Sequence, residues 1–332
     1  MRSGKQRGNE GRMNRYLENP ASWTPPALPD KIPQGDMPGD RIEIGEEHIK
    51  KAQLIFRELL AQAKALKQAD SERKIVIAVC GGSGVGKSET ASLLSFYFQQ
   101  AGIGSYTLSG DNYPRRIPMY NDAERLRIFR ESAIRGMVRE NLFSQDRFKL
   151  IHENQVKGTD ADAALAGEYD WYESYLRNGA CGLREYLGSD REINFAEIEE
   201  IVDRFKRGEH TIWLKRMGRT DTELWYEEID FSDTEVLIIE WTHGNSDYYQ
   251  GVDIPVLLNS TPQETMEHRR ARNRDGAVDS PFTTLVLVLE QEMLAAQAHK
   301  AKIIVSKAGR LLSYEEYTEM MDAGRISERS LG

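Results

Sequence analysis

The chain has 332 residues, 39% of them hydrophobic, and a net charge of -9 from 44 Lys and Arg against 53 Asp and Glu. The acidic surplus argues against a nucleic-acid backbone as partner, no apolar run approaches a membrane span, and the N-terminus lacks the apolar stretch of a secretory signal. Cys80 and Cys181 are the only cysteines, which argues against metal clusters and disulfide frameworks and fits a reducing cytoplasm.

Residues 1–45 are rich in Gly, Pro and charge and read as a flexible arm. Tyr16, Leu17, Trp23 and Leu28 are apolar anchors in it that could pack on a partner subunit of a homo-oligomer. The main domain is expected over 46–310, followed by a C-terminal helix and tail at 311–332. It opens with a helix from Glu46 to Gln68, whose Ile49, Ala52, Ile55, Phe56, Leu59 and Leu60 share one face. Lys74–Val79 is a short apolar run rich in β-branched residues, hence a buried strand.

Gly81-Gly82-Ser83-Gly84-Val85-Gly86-Lys87-Ser88 follows at once and fits the phosphate-loop pattern G-x-x-x-x-G-K-[ST]. Glu89–Phe98 then reads as a helix. Strand, glycine-rich loop and helix are the context this motif needs. The glycines let successive N–H groups turn toward one centre, and the helix points its positive end at the same place. Gly81, Gly82, Ser83, Gly84, Val85, Gly86, Lys87, Ser88 and Glu89 are therefore the expected nucleotide-binding residues. Lys87 should reach the outer phosphates of ATP, and Ser88 should hold Mg²⁺. A chance glycine-rich turn is the bland alternative.

Ile103–Leu108 is the second strand, and Gly110-Asp111-Asn112-Tyr113 comes at its end. In a parallel sheet this edge is where ligands sit. Asp111 there could accept a proton from an attacking hydroxyl, or act on the magnesium shell. From about 120 to 208 the sequence is long, charged and helical, an insertion in which Asn121 can cap a helix. Asn194-Phe195-Ala196-Glu197 resembles a capping box. Tyr169, Trp171, Tyr172 and Tyr175 form an aromatic cluster that reads as packing rather than as a stacking platform.

Glu235–Ile239, Ile254–Leu258 and Lys302–Val305 complete an α/β pattern of parallel strands with helices on both faces. Glu240, after the first of these, is the expected second magnesium residue, and His243 is a weaker substrate candidate. His268-Arg269-Arg270-Ala271-Arg272-Asn273-Arg274-Asp275 reads as a lid whose guanidinium groups would spread charge on the transferring phosphate. The alternative is a solvated basic helix face.

The order phosphate loop, Gly110-Asp111-Asn112-Tyr113, Ile239-Glu240, Val252–Leu258, Arg270 with Arg274-Asp275 and His299–Val305 resembles the phosphoribulokinase/uridine kinase family of P-loop kinases. The resemblance implies a nucleoside monophosphate kinase-like P-loop NTPase sheet and transfer of the ATP γ-phosphate to a small-molecule hydroxyl. It maps the family's catalytic aspartate to Asp111 and its lid arginines to Arg270 and Arg274, with Lys87 on the phosphates and Ser88 and Glu240 on magnesium. The chain departs from the uridine kinase signatures: Pro114 stands where a tyrosine is usual, Tyr113 comes one place early, and Trp213–Arg219 lacks a Tyr-Asp pair.

Lys215, Arg216 and Arg219, together with Arg115 and Arg116, would instead suit an anionic acceptor, and Tyr113 is a further substrate candidate. Leu108–Asn112 also resembles the Asp-Gly-Asp-Asn of adenylylsulfate kinases. The sequence thus points to a cytoplasmic, ATP- and magnesium-dependent kinase of a small, anionic hydroxyl compound. A uridine or adenylylsulfate kinase is the near alternative, and an ATP-binding regulatory or assembly protein is the one from another class.

Overall fold

The computed structural model describes Tyr16, residues 18–260, Glu264 and residues 280–329, the last seven by backbone alone. Arg270 and Arg274, the lid candidates, lie outside the described residues.

Strand β1 (Ile75–Gly81) is buried along its whole length. An all-apolar strand needs cover on both faces, and it gets it. With β2 (Ser105–Ser109), β5 (Val236–Glu240), β6 (Ile254–Leu258), β7 (Ile303–Val305) and β8 (Leu311–Leu312) it forms one sheet in the order β2-β5-β1-β6-β7-β8. All neighbours are parallel except β7 and β8. This is the α/β P-loop architecture read from the sequence.

Alternate β1 residues divide between two cores. Ile75, Ile77 and Val79 join Phe56, Leu59 and Leu60 of helix α1 (Glu46–Ala69) and Leu94 and Phe98 of α2 (Lys87–Gln100). Val76 faces the opposite core, with Leu237, Ile239 and residues of α7 (Phe195–Lys206). Each such side chain withdrawn from water contributes about 1.5–3 kcal/mol, so burial on the two faces holds the sheet.

Between β2 and α7 the chain is helical, as expected: α3 (Pro118–Arg139), α4 (Gln145–Lys157), α5 (Ala164–Glu168) and α6 (Tyr172–Tyr186). Helices α3 and α6 approach closely because glycines line the contact. A Cβ on Gly136 would fall 2.0 Å from the Asn178 Cγ, and one on Gly179 would fall 2.5 Å from the Phe129 ring. The aromatic cluster serves this packing: Tyr172 and Tyr175 are buried, and the Tyr175 hydroxyl donates to Asp160 (2.9 Å), which Arg130 grips with two bonds of 3.0 and 2.7 Å.

Local details differ from the sequence reading. Helix α3 begins at Pro118, whose missing N–H costs nothing in the first turn, so Asn121 is inside the helix and not its cap. Asn121 is buried and donates to Glu192 at 3.0 Å. Asn194 does precede α7, but its amide bonds the Glu197 carboxylate at 2.8 Å rather than an orphan N–H. β3 (Thr211–Met217) pairs with an antiparallel partner, β4 (Leu224–Asp230), that the periodicity did not single out. All but one β4 residue is exposed, so there is no alternation to read.

Residues 18–45, read as a flexible arm, run over the domain as a strap. Trp23 is 3% exposed and packs on Phe56 and Tyr97, at ring-centroid distances of 4.7 and 5.3 Å. Leu28 packs on the same core. Tyr16, Trp23 and Leu28 thus meet this chain's own core, and Leu17 lies outside the described residues. Helix α8 (Pro281–Gln297) and α9 (Tyr314–Arg329) complete the described elements.

Candidate active site

The phosphate loop joins β1 to α2. Gly84 and Gly86 take φ of +77° and +86°, a region closed to most side chains, and Gly86 caps α2. Lys87 reaches back and donates to the Gly82 carbonyl at 3.0 Å. Ser88 Oγ donates to Glu240 Oε2 at 3.3 Å, and Ser109 Oγ donates to Glu240 Oε1 at 2.9 Å. The expected magnesium pair, from the helix after β1 and the end of β5, is therefore in one place. Burial pushes the Glu240 carboxyl up to about 7, and the nearby negative charge of Asp111 adds to this. A buried carboxylate in that position gains from a cation.

Asp111 sits in the short turn after β2, over Gly110–Asn112. The turn is tightly held. A Cβ on Gly110 would overlap the Trp241 ring at 2.0 Å, and Asn112 Oδ1 accepts from Met217 N–H at 3.0 Å. Asp111 lines a cavity of 540 Å³ together with Ser83 of the phosphate loop and with Thr242, His243, Asn121 and Asp122. The cavity continues to Glu290 and Thr283 of α8, and Met37 of the strap also lines it.

Among the described residues its one lining cation is Arg125. That guanidinium is 2.5 Å from Glu192 Oε1 and 3.7 Å from Glu290. Burial would raise the Glu192 carboxyl, but Arg125 beside it prevails and holds it below the usual range. Arg125 is thus engaged by carboxylates, and carboxylates, hydroxyls and amides make up the rest of the polar lining among the described residues.

The cations expected to hold an anionic acceptor do not line this cavity. Arg216 is ion-paired to Asp36 and Glu227, both at 2.9 Å, and Lys215 donates to the Pro114 carbonyl at 3.1 Å. Arg115 donates to the Asp190 carbonyl at 2.5 Å, and Arg116 to the Tyr186 hydroxyl at 3.0 Å. Arg219 is exposed in the hairpin turn. Tyr113 is fully buried in the core with Ile198 and Trp241. Charge count along the sequence could not distinguish cations spent on structure from cations facing a ligand.

His243 does face the cavity, with its Nδ1 buried and without a hydrogen-bond partner among the described residues. Burial pushes its pKa down to about 4, Glu192 opposing and Arg125 reinforcing the shift. A histidine held neutral on folding contributes stability fully present above its unfolded pKa, about 6.5, and lost as pH falls toward 4. Unfolding free energies from urea titrations should therefore drop between these limits by up to about 1.4 kcal/mol per pH unit, and His243→Gln should flatten that acid limb. An unchanged limb in the variant would assign the sensitivity to other groups.

A second cavity, of 70 Å³, lies beside the phosphate loop. Gly84 and Val85 form one wall, Asn259 and Ser306 another, and His48 and Lys51 of α1 a third. His48 Nδ1 accepts from Gly45 N–H at 3.1 Å, which leaves Nε2 as the donor; a Cβ on Gly86 would meet this nitrogen at 2.8 Å. Sequence reasoning missed these α1 residues. The amphipathic pattern placed the helix but carried no sign of which loop its first turn overlies.

Residues 57–137, which include the phosphate loop and Asp111, match the model of the Zeta toxin family. Over 247 residues the chain is 40% identical to the bifunctional alpha-galactosidase/sucrose kinase AgaSK of Mediterraneibacter gnavus. That match covers 74% of this chain and 21% of the relative, so the chain spans about a fifth of the length of the curated protein it matches. Among solved structures it is similar to a kinase assigned to a fructose transport system of Silicibacter sp. TM1040, at 11% identity and a TM-score of 0.43, over 77% of this chain and 96% of that one. It is also similar to an assigned uridine kinase of Bacillus stearothermophilus, at 13% identity and a TM-score of 0.38, over 78% of this chain and 98% of that one. Likenesses so loose decide nothing about reaction or acceptor; strand order and phosphate loop carry the fold.

Proposed function

We propose that this chain, a homologue of AgaSK built on a phosphate-loop sheet, is an ATP-dependent kinase whose acceptor is a hydroxyl of a neutral carbohydrate. The observation that carries the reading is one juxtaposition. Ser83 of the phosphate loop and Asp111 line one cavity, and the charge of Asp111 bears on Glu240, which Ser88 meets at 3.3 Å. The relative's name includes sucrose kinase, and the cavity's lining of Asp111, Asp122, Asn121, Thr242 and Thr283 suits hydroxyl groups, each of which needs an acceptor or a donor. An anionic acceptor would meet those carboxylates without a spare cation among the described lining residues.

The small cavity beside Gly84 would take the nucleoside end. The triphosphate would then lie along the loop amides with Lys87 on its outer oxygens, Lys87 exchanging the Gly82 carbonyl for phosphate. Magnesium, held by Ser88 and Glu240 and otherwise by phosphate and water, would draw off phosphate charge. Among the described residues no three His, Cys, Asp or Glu side chains gather as a separate metal site. Asp111 would orient the acceptor hydroxyl and take its proton as the oxygen attacks the γ-phosphorus in line, the bond to the β–γ bridging oxygen breaks and ADP leaves. His243, neutral, would hydrogen-bond another hydroxyl of the acceptor rather than pair with a charge.

Initial rates with Mg·ATP and a panel of acceptors test the reading. Sucrose, fructose and glucose should be phosphorylated at least about tenfold faster than gluconate or glucose 6-phosphate, which is the ratio that one unfavourable charge contact of ~1.4 kcal/mol gives. Preference for the anionic compounds would restore the cations of the hairpin to the site and refute the neutral acceptor.

A further inference from the structure

We propose that Asp36, in the N-terminal strap, is a positioning residue for the transfer: its carboxylate holds the Ser109–Asn112 turn that presents Asp111 to the acceptor and Ser109 to Glu240. The bonds are specific. Asp36 Oδ1 accepts from the backbone N–H of Ser109 at 2.6 Å and from the Asn112 amide at 3.2 Å. Oδ2 accepts from the Tyr106 hydroxyl at 3.1 Å and from Arg216 at 2.9 Å. Arg216 also donates to that hydroxyl at 2.9 Å, which closes a ring of three polar groups.

The turn is thus clamped from the strap side by Asp36, from below by Trp241 and from the hairpin by Met217. Ser109, at the clamped point, passes the constraint on through its 2.9 Å bond to Glu240. The next strap residue, Met37, lines the acceptor cavity, and the charge of Asp40 bears on Glu240. The strap is therefore a wall of the site, joined to it at the residue beside the base.

The placement is too costly for merely pinning a tail. The Asp36 side chain is 7% exposed, and burial drives its carboxyl up to about 6 against the pull of Arg216. Trp23 already anchors the other end of the strap by apolar contact. A buried carboxylate–guanidinium pair contributes little net stability, but it fixes geometry, and geometry at Asp111 is what in-line transfer needs. The inference rests on the kinase reading through the role of Asp111, so its test has one arm that does not.

In Asp36→Asn, measured at a temperature where circular dichroism shows full folding, kcat should fall at least about tenfold while the nucleotide Kd stays within about twofold. Amide exchange of residues 109–112 should rise about tenfold, with β1 unchanged. Tyr106→Phe, which removes one bond of the ring, should show the same pattern at a few-fold amplitude and serves if Asp36→Asn does not fold. Trp23→Ala should lower thermal stability and keep kcat within about twofold. Unchanged kcat and unchanged exchange in 109–112 overturn the proposal, as does a Trp23→Ala loss of kcat equal to that of Asp36→Asn. If the wild type phosphorylates nothing, the kinase reading fails, and the exchange arm still decides whether Asp36 clamps the turn.

Discussion

Lys87→Ala should fold normally and lose phosphate transfer, with kcat/KM down roughly 10³-fold, about 4 kcal/mol of transition-state stabilisation. The Lys87 ammonium is attached at the first position of α2, so loop and helix fix it relative to the phosphates. Among the described residues its ammonium makes the 3.0 Å bond to the Gly82 carbonyl, which a water can replace in the variant. The fold should therefore be indifferent to the change: melting within about 2 °C of the wild type is expected for so local a loss. Nucleotide affinity should fall less than turnover, because the amides of the loop remain. A variant that keeps a tenth of wild-type turnover would remove Lys87 from the transfer.

Asp111→Asn separates base from cradle. The side chain is exposed to the cavity and carries no buried packing, so the substitution changes proton acceptance and charge while nearly conserving shape. Loss of a general base typically costs 10²–10⁴-fold, and kcat should fall by roughly that amount with the nucleotide Kd unchanged. The carboxylate also bears on Glu240, whose raised pKa owes part of its shift to Asp111. Removing that charge favours the ionised Glu240, so magnesium binding should tighten slightly even as transfer collapses. Stopped-flow single turnovers report both effects. Equal losses of binding and transfer would instead make Asp111 a ligand of the metal shell.

The centre of the fold was legible in the sequence because its signals are local. Lys74–Val79, the glycine loop and the following helix follow each other without interruption, and an all-apolar strand has few places to go but the middle of a parallel sheet. That Ser88, Glu240 and Asp111 are neighbours also followed, since all three come at the carboxyl ends of strands or just beyond the loop. What could not be read was long-range. Arg216 looks the same in sequence whether it faces a phosphate or is joined to Asp36, 180 residues away.

The strap failed for a related reason. Its prolines and glycines, such as Gly35 lying on Thr107 with room for only a 3.3 Å Cβ contact, forbid regular structure without forbidding a packed, extended path. β4 carried no alternating pattern because nearly all of its residues are exposed. The lid arginines, Arg270 and Arg274, lie outside the described residues, and their expected role in covering the phosphates stays a proposal.

The most direct test follows the fate of the γ-phosphate itself. Incubated with magnesium, γ-labelled ATP and sucrose, the wild-type chain should move the label into a sugar phosphate ester, with ADP formed in equal amount and the ester absent from the Lys87→Ala sample. Label found only in inorganic phosphate, or ATP left intact with every neutral sugar tried, would contradict a cradle and base assembled to phosphorylate a carbohydrate.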